Sequence, residues 1–342
     1  MSEPEVTGID PTAGIGGGEI IVRFAGVTPE HLARLEVRIY GETAHLVAVN
    51  TKRALALVPD LVSGRPVEVS VMMDPETRSN ESDVHLLIGR RVAGGLHLVT
   101  NPAFDPTDGS LFVTRSGSRG EHVPITIFRV ATEGLEEFSA DITNPTAMAF
   151  DRTARMFVTS RLDGTVYRIT RNREAVAFAG DLGIATGMAF NRDGEMFVGD
   201  RSGTIYRINE IGDAKRWVEH EPSVSAYHLA FGPDDNLYVS GPTVSSFDSI
   251  TRFDPDGNAS IFFRGLGRPQ GLAFDSEGNL YVAAALRGRR GVVKISPDGS
   301  RAELVVAGMN VVGLAFGPEG DMVVATNEAV YSLPLGIRGI LV

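Results

Sequence analysis

GRPQGLAFDSEGNLYV, residues 267–282, reads as an approach loop, a short apolar strand, an acidic-glycine turn and a second strand. Its Ala-Phe pair recurs along the chain at Ala103-Phe104, Ala149-Phe150, Ala189-Phe190, Ala230-Phe231, Ala273-Phe274 and Ala315-Phe316, at intervals of 46, 40, 41, 43 and 42 residues. After each pair come a turn and a second apolar strand, as in DRTARMFVTS, NRDGEMFVGD and GPDDNLYVSG. A third strand follows (TVYRIT, TIYRIN, VVKISP), then a fourth (AVAFAG, SIFFRG, AELVVA). Apolar and β-branched residues alternating between Asp-Gly turns predict antiparallel hairpins.

A fixed period of this length marks a repeat architecture. One four-stranded sheet cannot bury both faces, whereas six stacked around an axis can, so the repeat predicts a six-bladed β-propeller. The fourth strand of the last blade comes either from the terminal GILV or from GRRVAG, residues 89–94. The first ninety residues lack the repeat and read as short strands between turns, a small Ig-like β-sandwich. The expected class is all-β: a sandwich over residues 1–90, then a propeller over 91–342. TPEHLARL predicts one helical turn, with Thr28 as N-cap and Pro29 at the first helical position. GIGGGE, residues 14–19, precedes a strand, so it predicts a hairpin turn rather than a dinucleotide loop.

The net charge of −11 argues against nucleic acid, whose phosphates need a basic face. Three lysines stand against 29 arginines. There is no cysteine, which removes disulfides, thiolate nucleophiles and cysteine metal sites. The start, MSEPEVTGID, has no basic, apolar leader, and no apolar run reaches membrane-spanning length; the expectation is a cytoplasmic protein with no membrane partner. The sequence sets no oligomeric state.

In an up-and-down blade the first strand lines the channel, and the loop between its second and third strands lies at the same mouth. The channel positions are Thr100, Thr146, Thr186, Tyr227, Gln270 and Val312, followed by Asn101, Ala147, Gly187, His228, Gly271 and Gly313. The mouth loops carry Arg115, Arg119, Arg161, Arg201, Arg287, Arg289 and Arg290, and an approach loop adds Arg268. Arginine gives forked, charge-assisted bonds to carboxylate or phosphate, and a cleft can focus a field opposite in sign to the net charge. These arginines either line a mouth for a small anion or pair with Asp163, Asp200 and Asp248. The candidate ligand-binding residues are Arg115, Arg161, Asp200, Arg201, Tyr227, His228, Arg268, Gln270 and Arg289. His228 is the candidate general base, with Ser245, Ser246 or a water as nucleophile and Asp200 or Asp248 to orient it. The alternative is that His228 and Tyr227 hydrogen-bond inside the channel. GPTVSSFDS, residues 241–249, is longer than its equivalents and could form a lid.

The opening segments IDPTAGIGGGEIIV, VRIYGETAHLVAV and VEVSV resemble the IPT/TIG immunoglobulin-like family, which implies a spacer or interaction domain. RPQGLAFDSEGNLYVA, ATGMAFNRDGEMFVGD and YHLAFGPDDNLYVSG resemble the bacterial gluconolactonase and regucalcin-like propellers, and more loosely NHL-repeat propellers. That resemblance implies lactone hydrolysis by a divalent cation held by Glu, Asn and Asp in the channel. Here the corresponding positions carry Thr100, Thr186 and Gln270, and no carboxylate remains among the six, so no bound metal or other cofactor is expected. Three functions stand open: a small anionic or polyol ligand bound at the mouth, with hydrolysis that needs no metal; a metal-dependent sugar-lactone hydrolase; and a non-catalytic protein- or polysaccharide-interaction module.

Overall fold

The computed structural model describes residues 4–61, 63–74, 77–78, 84–117, 123–139, 142–245 and 247–340; Arg119 and Ser246 lie outside them. Among the described residues six four-stranded blades surround one axis. Their innermost strands are Ala103–Phe104, Pro145–Phe150, Ala185–Phe190, His228–Phe231, Leu272–Phe274 and Val311–Phe316. Each contacts the next, and the sixth contacts the first, so the ring closes. In the opening stretch, Asp275 holds the turn between two strands. Its Oδ1 accepts from the backbone N–H of Glu277 (3.0 Å) and Asn279 (2.8 Å), and its Oδ2 from the Asn279 side chain (2.8 Å). A short acceptor that bonds its own backbone two residues on is why aspartate recurs in these turns.

The ring is closed by the segment before it. Arg90–Gly94 pairs antiparallel with Ala329–Leu333 and forms the outermost strand of blade 6. The C-terminal segment lies against blade 5 instead: Gly339 bridges to Asp275, and Ile340 N donates to Phe274 O (3.2 Å).

Before the ring, two sheets face each other. One contains Glu5–Asp10, Glu19–Ala25, Arg53–Leu57 and Leu46–Val49; the other contains Ala13–Gly14, His85–Ile88, Pro66–Asp74, Glu36–Ile39 and Glu42–Thr43. Alternate residues of both, Val22, Phe24, Val37, Val69 and Ile88 among them, share one core. The expected helical turn is a short 3-10 segment, Pro29–His31. The Thr28 hydroxyl bonds His31 Nδ1 (2.8 Å) and caps no backbone N–H.

The two parts are joined through the backbone. Ala13–Gly14 runs parallel to His85–Ile88 on one side and meets Ala307 of blade 5 on the other, so one continuous sheet spans both. Ile15 N donates to Ala307 O (2.9 Å). The turn in GIGGGE presses against this strand, where a Cβ on Gly18 would overlap the Ala307 carbonyl.

At the axis the inner strands crowd together. A Cβ on Gly271 would meet Asn101 Oδ1, and would stand 2.5 Å from Gly313 Cα and 2.8 Å from Val312 O. Gly271→Ala is therefore expected to cost about 1–3 kcal/mol in urea unfolding. Gly180→Ala, where nothing lies within 4 Å of the new methyl, is expected to be near neutral.

Candidate ligand site at the mouth of the ring

The channel itself is filled by side chains. Asn101 of blade 1 reaches across the axis: its amide donates to Leu272 O (3.0 Å), and its carbonyl accepts from Leu314 N (3.1 Å). The Thr100 hydroxyl lies 3.3 Å from His228 Nδ1. Thr186 donates to Gly199 O (3.0 Å) and accepts from Tyr227 N (3.1 Å), while Thr159 donates to Thr186 O (2.8 Å). These hydroxyls serve blade-to-blade bonding. Small residues at 187, 271 and 313 let the strands approach closely.

Space opens at the mouth, in a depression of 1320 Å³ lined by loops of blades 4, 5 and 6 and the entry to blade 1. Arg268, Arg287 and Arg290 line it, with Gln270, Asn310, Asn327, Val244 and Phe247; among the described residues no aspartate or glutamate does. Among the described residues none of the three arginines is ion-paired to a carboxylate. Arg268 (φ 49°), Arg287 (φ 52°) and Asn310 (φ 56°) hold left-handed backbone. Such backbone costs a residue with a Cβ about 1–2 kcal/mol, and it concentrates at functional sites.

The candidate residues divide. Arg268 and Gln270 line the depression. The backbone of Gln270 is fixed, its N–H donating to Ala283 O (2.9 Å) and its carbonyl accepting from the Ser240 hydroxyl, so its side chain is delivered half-exposed to the mouth. Arg115, Arg161, Asp200, Arg201, Tyr227 and His228 do not line it. Arg115 is exposed, its backbone paired to Thr126 O (2.8 Å). Arg161 is half-buried, and burial, then the neighbouring Arg201 charge, hold its guanidinium below the ordinary value. Arg201 Nε donates to Ser223 O (3.3 Å).

Four expectations need correction. Arg289 turns away from the mouth: its guanidinium bonds Asp10 Oδ2 (2.9 Å) and Asp10 O, tying blade 5 to the N-terminal sheets. Asp200 is a buried turn cap, its Oδ1 accepting from Ile184 N (2.9 Å) and Ser202 N (3.1 Å). Tyr227 is buried between blades, its hydroxyl donating to Glu221 O, and burial pushes its phenol up. His228 is 2% exposed, and burial lowers its pKa to about 3. Neither Asp200 nor Asp248 bonds it; Asp248 instead accepts from Thr243 N (3.2 Å) and Oγ1 (2.6 Å). Sealed from the mouth, without an orienting carboxylate and neutral across ordinary pH, His228 is a channel-packing residue rather than a general base.

The donor set does not fit the divalent cation that the resemblance implies. No carboxylate occupies the six channel positions, and among the described residues no three of His, Asp and Glu come together to hold a metal. Sequence reasoning missed Phe247 and Val244 as lining residues. The signal was present: both sit in the extended mouth loop of blade 4, residues 241–247.

No protein-family model matches the chain, and no curated protein matches it. Solved structures match in fold. An auxiliary nutrient binding protein from Bacteroides ovatus is 16% identical, covering 99% of this chain and 99% of that one, with a TM-score of 0.54. A gluconolactonase from Xanthomonas campestris is 15% identical over 74% and 90% of the two chains (TM-score 0.57). A calcium-binding protein, regucalcin, from Agrobacterium tumefaciens is 17% identical over 75% and 96% (TM-score 0.60). At these identities the likeness is one of fold: gluconolactonase- and regucalcin-like propellers share the blades, and the nutrient-binding protein shares the whole length.

Two outcomes follow from the corrected placements. The folded-state value of His228 lies below its ordinary 6.5, so in acid the unfolded chain takes up a proton that the folded chain refuses. The contribution to stability is full above pH 6.5 and is lost as pH falls toward about 3, at up to about 1.4 kcal/mol per pH unit. Urea unfolding at stepped pH is expected to show that slope shrink in His228→Gln. Arg289→Ala is expected to lower stability by about 1–3 kcal/mol through the bonds lost to Asp10, and to leave ligand binding at the mouth unchanged.

Proposed function

We propose that this protein binds a small anionic or polyol ligand at the mouth of the ring, without turning it over. The observation that carries this reading is a 1320 Å³ depression lined, among the described residues, by three arginines and no carboxylate, on a chain of net charge −11. Clefts focus fields, so this local sign recruits anions despite the acidic whole. The left-handed backbone of Arg268 and Arg287 supports it, because glycine would hold those positions at lower cost. Gln270 and Asn310 add neutral donors and acceptors suited to hydroxyls. Hydrolysis is the weaker reading: His228, the candidate base, lies buried away from the depression, and the channel residues do not fit a metal. Kinship with the gluconolactonase and regucalcin-like propellers is part of the same proposal, and the full-length likeness to a nutrient-binding protein favours binding over catalysis. The N-terminal sheets serve in this reading as an immunoglobulin-like module clamped to blade 5.

A thermal-shift panel of gluconate, galacturonate, phosphate and neutral polyols tests the proposal. A ligand at 100 times its Kd is expected to add about 2.7 kcal/mol of stability. The double variant Arg268→Gly and Arg287→Gly is expected to be no less stable than the parent when unliganded, since the left-handed strain is relieved, and to lose the ligand shift. A panel in which no compound moves the melting point would overturn the reading.

A further inference from the structure

A second groove adjoins the mouth. It measures 670 Å³ and is lined by residues of blades 4 and 5. Phe247, Gly265 and Arg287 line both spaces and form their common boundary. The groove adds Arg264, Lys294 and Arg301, opposed by one carboxylate, Glu303. Among the described residues none of these three cations is ion-paired either. Six cations that form no ion pair among the described residues therefore line two joined openings of an acidic protein.

Phe247 at the boundary is 63% exposed, which is unusual for a phenylalanine whose position is fixed. Its ring is seated on Gly265, 3.1–3.2 Å from where a Cβ would stand, at a φ of +104°. The loop that carries it is braced from within: Ser245 N donates to Thr243 Oγ1 (3.0 Å), and Phe247 N to Ser245 Oγ (3.0 Å). An aromatic held open to solvent between two basic grooves offers an apolar platform flanked by charge.

We propose that the mouth depression and the groove beyond Phe247 form one binding track for an extended polyanionic glycan, a uronic-acid oligosaccharide whose sugar rings cross the Phe247 face and whose carboxylates meet the arginines. The inner end of the track rests on the ligand-binding reading above. Its combined size exceeds the roughly 300–1,000 Å³ of a pocket for one small molecule. Its cations are distributed along both openings rather than gathered at one point. Side-chain amides and hydroxyls of Gln270, Asn310, Asn327 and Ser225 line it and match a ligand rich in hydroxyls. A nucleic-acid strand calls for successive open aromatic stacking platforms, and among the described lining residues only Phe247 is an exposed aromatic, the neighbouring Phe263 being half-buried.

Titration calorimetry with galacturonate and with oligogalacturonates up to the hexamer tests this. The hexamer is expected to bind at least about tenfold more tightly than the monomer, because further contacts along a tethered chain are intramolecular. Salt should weaken the hexamer more than the monomer. Arg264→Ala combined with Arg301→Ala is expected to abolish the gain with length and leave the monomer unchanged, and Phe247→Ala, at the boundary of both spaces, is expected to weaken the hexamer more than the monomer. Equal affinity at every length, or binding of gluconate or phosphate with no uronate bound at all, overturns the track and leaves the mouth reading standing. Failure of every anion and polyol overturns both. A polyglutamate or single-stranded DNA of similar length that matches the hexamer overturns the glycan assignment.

Discussion

The ring depends on one contact made five times. An aromatic on the second strand of each blade meets the phenylalanine of the next blade's Ala-Phe pair. The pairs are Phe112 with Phe150 (5.8 Å between centroids), Phe157 with Phe190 (5.6 Å), Phe197 with Phe231 (5.1 Å), Tyr238 with Phe274 (4.8 Å) and Tyr281 with Phe316 (5.1 Å). Tilted and edge-on pairs of this kind add about 0.5–1.5 kcal/mol each beyond the area they bury. At the sixth seam Val323 takes the aromatic's place, in one cluster with Phe104. These contacts draw the blades inward until the inner strands touch. The same crowding requires glycine beside the axis and turns the channel hydroxyls to backbone bonding. The open depression lies at the mouth.

The Ala-Phe signal was legible because a repeated packing need leaves a repeated residue. What stayed illegible was set by partners distant in the chain. Arg289 and Arg290 are neighbours on one strand and so point to opposite faces. Only the approach of Asp10, 279 residues away, decides that the first is structural. His228 was placed on the correct strand, but its depth follows from Thr100, 128 residues away. GILV and GRRVAG were equally plausible closing strands by composition, and pairing register distinguishes them. Arg268 and Gln270, assigned to the mouth from the approach loop ahead of the Ala-Phe pair, line the depression.

The charge distribution shows how little a net value constrains a surface. Acidic residues exceed basic ones, 43 to 32, yet the carboxylates are largely occupied elsewhere. Asp151, Asp254 and Asp275 cap their own turns. Glu195 is held by Arg207, whose contact, with that of Asn191, lowers its pKa despite burial. Aspartate in this fold is first a turn-former. The arginines at the mouth form no ion pair with a carboxylate among the described residues.

The strand Arg90–Gly94 has a temporal consequence. It leaves the ribosome before any blade exists, and its partner Ala329–Leu333 arrives about 240 residues later. Until then it is an unpaired edge, and the nascent blades stack as an open arc with exposed ends. Synthesis at roughly 5–20 residues per second makes that interval about 12–50 seconds. The pairing that closes the ring is between its beginning and its end. A ribosome that stalls short of residue 329 therefore leaves every blade it has made without a closed circle.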